Sequence, residues 1–231
     1  MSEEILKQSF TSKVTKTKWI TQIGMMSAVA FLMVVVCRIP IIPGIEFLKY
    51  EPKDVMITIA GFILGPLASL LISLIVSFVE MVTISESGLI GMLMNVLSTV
   101  AFSCTAAFIY KKKRTILGAV SGLAVGCIAM TAVMLAWNYF ITPYYMGYPR
   151  EAIAAMLVPI FLPFNLIKSG LNMALVLLLY KPIVTALRKA NLVPASADLP
   201  GKGKKILGVA LVSGLGVLSV VLLILSMQGI I

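Results

Sequence analysis

This chain contains no histidine, and it has very little charge for its length. Its 231 residues include three cysteines, and only 12% of them are charged. Without histidine it lacks the commonest metal ligand and the side chain that moves protons near neutral pH. Cys37, Cys104 and Cys127 lie far apart, inside or at the end of apolar runs. They show no metal-ligand spacing and read as small core residues. No Ser–His or Cys–His pair can form, and neither H-E-x-x-H nor G-x-x-x-x-G-K-[ST] occurs. The sequence therefore offers no hydrolytic constellation and no phosphate-binding loop, and the expectation is a protein that is not an enzyme. A soluble domain usually carries about 25% charged residues, so the scarcity of charge also argues against a soluble fold.

What the chain has instead is apolar length. Sixty per cent of its residues are hydrophobic. Several runs reach the roughly 17 residues that a membrane-crossing helix needs. The expectation is an all-α polytopic membrane protein. Nineteen lysines and arginines stand against nine acids, for a net charge of +10. Such a balance can mark a nucleic-acid partner, but here the basic residues flank apolar runs, where they set membrane orientation instead.

Threading the chain on that basis gives a tail over residues 1–18 and a first helix over 19–37, anchored by Trp19. A charged and apolar loop follows over 38–53. A short second helix, capped by Asp54, ends at Gly65-Pro66. It covers only about 17 Å, less than a bilayer core, and so reads as a short or tilted crossing. Helices 3 to 6 are expected over 67–84, 89–110, 116–140 and 156–180. The six-helix unit spans 19–190, a basic linker spans 191–205, and an extra transmembrane helix lies within 206–231. Fourteen of the nineteen basic residues then fall on one side, four on the other and Lys168 in between. This bias puts the N-terminus in the cytoplasm of a cell-membrane protein and the C-terminus outside.

Within this threading Glu80, Asn95, Asn138, Asn165 and Lys168 lie at similar depth in the outer half of the bilayer. A charged side chain there costs at least about 2.5 kcal/mol on insertion scales, which makes Lys168 a candidate site residue. Asn165 shares its helix face. Two readings stand. The five residues line a binding cavity roofed by the outer loops, or Glu80 and Lys168 pair and merely hold the bundle together. Lys168 snorkelling to the headgroups is a third possibility. Gly24 and Ala28 on helix 1, and Gly118, Gly122 and Gly126 on helix 5, have the four-residue spacing that lets helices approach closely.

The run from Phe47 to Asp54, the Gly65-Pro66 turn, Gly91 to Asn95, Asn138-Tyr139-Phe140 and Pro163-Phe164-Asn165-Leu166-Ile167-Lys168 together resemble the substrate-binding S components of energy-coupling factor (ECF) transporters, of the riboflavin-binding type. The resemblance covers about residues 19–190. It implies a six-helix bundle with a vitamin pocket beneath the loop between helices 1 and 2. It also implies that Asn138, Asn165 and Lys168 bond the polar edge of the flavin ring, with Asn95 a weaker candidate. The partners it implies are a transmembrane coupling subunit, which grips helix 1 at Gly24 and Ala28, and two cytoplasmic ATPase subunits. No cofactor of its own is implied. The extra helix has no counterpart in that pattern, and Glu80 stands where an amide is usual. The alternatives are an S component for another vitamin, a self-sufficient ion-coupled carrier with Glu80 as its ion site, and a non-transporting assembly protein.

Overall fold

A computed structural model describes residues 2–42, 48–85, 87–190, 213–214 and 216–218, with side chains from residue 16 onward except residue 188. Helix α1 (Ser2–Val36) leads into a two-stranded ribbon of β1 (Ile39–Pro40) and β2 (Lys49–Tyr50), antiparallel with Ile39 opposite Tyr50. Then come α2 (Lys53–Leu64), α3 (Pro66–Thr83), α4 (Gly88–Thr99), α5 (Thr105–Lys113), α6 (Ile116–Phe140), α7 (Thr142–Met146), α8 (Arg150–Met156) and α9 (Leu162–Lys189). Five helical segments are long and apolar enough to cross a membrane, from Lys16–Val36 to Arg150–Leu187. With the short α2 they make the six helices expected from the threading. The basic linker, the extra helix over 206–227 and residues 43–47 of the first outer loop lie outside the described residues, apart from a few positions between 213 and 218.

The short helix is the centre of the bundle. Every residue from Glu51 to Phe62 is buried, and α2 packs against α1, α3, α5 and α9. A helix surrounded on all sides needs no polar face, which explains its even apolarity. Gly65, at φ 98°, makes the turn that stops it, and Pro66 opens α3 at a position where a missing N–H costs nothing. The glycines of α6 are close contacts too. A Cβ on Gly122 would lie 2.8 Å from the Ala106 carbonyl oxygen, and one on Gly126 would lie 2.7 Å from that of Phe102.

Several expectations are corrected. Asp54 does not cap α2. Pro52 holds the N-cap position without a side-chain bond, and Asp54 sits in the first turn with its carboxylate turned inward. The tail is helical and continuous with the first span. The fourth and sixth spans contain π-helical turns at Val100–Cys104 and Leu157–Phe161. The second holds Pro159, whose ring and missing N–H disrupt an ordinary α-turn. That span begins at Arg150 and runs past Pro182 to Lys189.

Candidate functional site

One cavity gathers all five residues singled out from the sequence. Glu80 on α3, Asn95 on α4, Asn138 on α6, and Asn165 and Lys168 on α9 line it, together with Arg38, Glu51 and Ser98. The non-atom space it encloses, including its open mouth, is about 780 Å³. Part of its roof comes from the first outer loop. Leu48 lines the cavity, and Ile41, Leu48 and Tyr50 are buried against Ile153, Phe161 and Phe164. The apolar residues of that loop thus form a cover, as the cavity reading of the sequence expected.

The α3 side is a chain of charges. Lys53 Nζ donates to Glu80 Oε1 at 2.7 Å and to Glu51 Oε2 at 2.9 Å. Arg38 Nε lies 2.9 Å from the other oxygen of Glu51. Asn95 Nδ2 donates to Glu80 Oε2 at 2.9 Å. Glu80 is thus paired with Lys53 and not with Lys168, so the bundle-holding Glu80–Lys168 bridge is not formed. The ion-coupled alternative likewise loses its free carboxylate. Burial pushes the Glu51 carboxyl up, but the ammonium of Lys53, with Lys168 and Arg38, outweighs this and holds it below the ordinary value.

The α6 and α9 side is built otherwise. Asn138 Nδ2 donates to the Met134 carbonyl at 2.8 Å and its oxygen accepts from Thr142 at 3.0 Å. Asn165 Nδ2 donates to the Phe161 carbonyl at 2.7 Å, within the π-helical turn. These local bonds fix each amide and leave it further donor and acceptor capacity. Lys168 is 7% exposed and has no hydrogen bond or ion pair among the described residues. It is therefore not a snorkelling lysine with its head in water.

Behind the cavity runs a network that the sequence reading missed. Asp54 accepts from Thr99 at 2.6 Å and from Asn172 at 3.1 Å, and Tyr50 donates to Asn172 at 2.9 Å. Burial, reinforced by the Asp54 charge, pushes the Tyr50 phenol up and keeps it a donor. Spacing carried a signal for Asn172, which follows Lys168 by four residues and Asn165 by seven, on the same face of α9. Lys53 had no comparable signal, since it reads as the last charge of a loop until the start of α2 is placed. On α1, Gly24 and Ala28 are both exposed, and nothing lies within 4 Å of where a Cβ on Gly24 would sit.

The pattern of the ECF transporter, substrate-specific component, family matches residues 18–180. This chain belongs to that family. Among its relatives, the riboflavin transporter RibU of Staphylococcus aureus is 30% identical over 181 residues, covering 75% of this chain and 94% of the relative. The riboflavin transporter FmnP of Bacillus subtilis is 29% identical over 190 residues, covering 77% and 99%. A solved S component of a bacterial ECF transporter superposes with a TM-score of 0.65 at 28% identity, over 75% of this chain and 99% of that one. The chain is accordingly a predominantly helical membrane protein of the transporter class.

Proposed function

We propose that this chain is the riboflavin-binding subunit of an ECF-type vitamin importer. It captures the vitamin at the outer face, with its N-terminus in the cytoplasm and the C-terminus outside, and passes it inward with a separate coupling subunit and two ATPase subunits. Lys168 is the observation that carries this reading. It is a buried ammonium with no hydrogen bond or ion pair among the described residues, flanked by two anchored amides, in a family whose relatives are named riboflavin transporters. An ammonium in a low-dielectric cavity gains most from an acceptor-rich planar edge, and amides add the complementary donors and acceptors. The flavin ring offers such an edge. The apolar lining from Leu48, Met94, Met134 and Phe164 suits its hydrocarbon side.

Gly24 and Ala28 form the contact for the coupling subunit, since their exposed small side chains let a partner helix approach closely. Flavin fluorescence quenching with the purified full-length protein tests the ligand. Tight quenching by riboflavin is expected. No quenching, with tight binding of another vitamin, would leave the class standing and overturn the ligand.

A further inference from the structure

The cavity has another wall whose polar groups the flavin-ring contacts leave unused. Asn95 and Ser98 stand three residues apart on α4, about one turn along a single face, and both line the cavity. Ser98 is 3% exposed, and its hydroxyl has no hydrogen-bond partner among the described residues. A buried hydroxyl left unpaired lowers stability, so this one is poised for a group that enters the cavity.

Asn95 is oriented from behind. A carboxylate only accepts, so the Asn95 amide nitrogen has to face Glu80 Oε2, 2.9 Å away. The amide oxygen is then turned away from Glu80, and it accepts from no described residue. Glu80 in turn is held by Lys53 Nζ at 2.7 Å, with Lys53 itself 1% exposed. The α4 wall therefore holds a fixed acceptor and, one turn away and just beneath the cavity surface, a hydroxyl that can donate or accept. Two neighbouring hydroxyls on a flexible chain match that pair. A flat ring edge is already matched by Lys168 and the amides across the cavity.

We propose that Asn95 and Ser98 form a subsite for the polyhydroxylated arm of the ligand, with Glu80 and Lys53 as positioning residues that turn the Asn95 oxygen towards it. This rests on the flavin reading above, and on that reading the arm is the ribityl chain. Glu80 then acts through Asn95 and does not itself touch the ligand, because Lys53 and Asn95 already engage its oxygens.

The test compares two ligands by fluorescence quenching on the full-length protein: riboflavin, and lumiflavin, which keeps the ring but replaces the ribityl chain with a methyl group. The wild-type titrations test the flavin reading itself, before any variant is considered. Ser98→Ala and Asn95→Ala are each expected to lower the ratio of riboflavin to lumiflavin affinity by roughly two- to tenfold. Thermal unfolding without flavin should show no loss for Ser98→Ala, because that hydroxyl bonds to no described residue. Lys168→Met should weaken both ligands alike. Lys53→Met with Glu80→Met removes the anchor as a charge-neutral pair and should lower the ratio as Asn95→Ala does. Lys53→Met with Glu80→Gln restores an acceptor for Asn95 and should restore the ratio. The proposal is overturned if Ser98→Ala leaves the ratio unchanged. It is also overturned if the Met pair and Asn95→Ala multiply when combined, since Glu80 would then act on the ligand by its own route.

Discussion

On the α3 side of the cavity each charge is answered within the protein. Lys53 stands between Glu51 and Glu80, and Arg38 takes the far oxygen of Glu51. On the α9 side, Lys168 forms no ion pair or hydrogen bond among the described residues and reaches Glu51 only through its longer-range charge. Asn138 and Asn165 are tied only to their own helices or the turn beside them. Both walls carry buried charge at the same cavity, yet only the first has spent it on structure. A buried charge that is fully paired is costly to disturb, and one left without a partner marks where an outside group is met. Mutations should therefore sort by wall. Those on the α3 side should chiefly reduce stability and reach the ligand only through Asn95, and those on the α9 side should chiefly reduce affinity.

The largest effect is expected from Lys53→Met alone. It leaves Glu51 and Glu80 buried without the ammonium between them, and breaking one side of such a cluster costs about 3–5 kcal/mol. Thermal unfolding in detergent measures it, and Glu80→Gln in the same chain should recover a large part. If Lys53→Met melts like the wild type, the α3 wall is not structural and the contrast between the walls is lost.

Lys168→Met should behave in the opposite way. A charge-assisted hydrogen bond is worth about 1.5–3 kcal/mol, so flavin affinity should fall by roughly tenfold to more than a hundredfold. The melting temperature should hold or rise, because no ion pair is broken and a buried cation is removed. Surviving affinity would mean that the lysine only fills space.

Gly126→Ala tests the scaffold rather than either wall. Its added methyl would meet the backbone oxygen of Phe102 at 2.7 Å, and backbone cannot swing aside as a side chain does. A loss of about 1–3 kcal/mol in stability is expected, with affinity changing only as far as α6 carries Asn138 along with it. The same substitution at Gly24 meets nothing within 4 Å and should stabilise α1 by roughly 0.5–1 kcal/mol.

The sequence carried much of this contrast, but unevenly. The five polar residues of the cavity were legible because each interrupts an apolar run, and the Gly65-Pro66 turn and the basic clusters set how the runs thread. The span 116–140 appears in the structure with those same bounds. The pairing was not legible. Lys53 and Asp54 stand at a loop–helix boundary where sequence distinguishes poorly between solvent and core, and only the burial of the whole of α2 reveals that they point inward. Asn172 and Ser98 were overlooked for another reason. A neutral polar group in an apolar helix costs little enough to be common, so its partner has to be seen before it means anything. Periodicity also cannot foresee the π-helical turns, because their five-residue bonds leave the overall composition of a span unchanged.

The smallest expected effect lies at the edge of the paired wall, where Arg38 reaches solvent with a side chain that is 35% exposed. Solvent screens that end of the chain, so Glu51→Gln should be milder than any change at Lys53. Its signature is the dependence on pH. The Glu51 carboxyl is held below its ordinary value of 4.5 in the folded protein, so its charge favours the folded state above that value. That contribution should be fully present at neutral pH and fade as the pH falls from about 4.5 through the lowered folded value. Unfolding curves of wild type and Glu51→Gln should accordingly stand apart at neutral pH and converge in acid. A gap that stays constant across the acid range would mean that Glu51 stabilises the loop by packing alone. The ion chain would then begin at Lys53, and Arg38 would have no part in the paired wall.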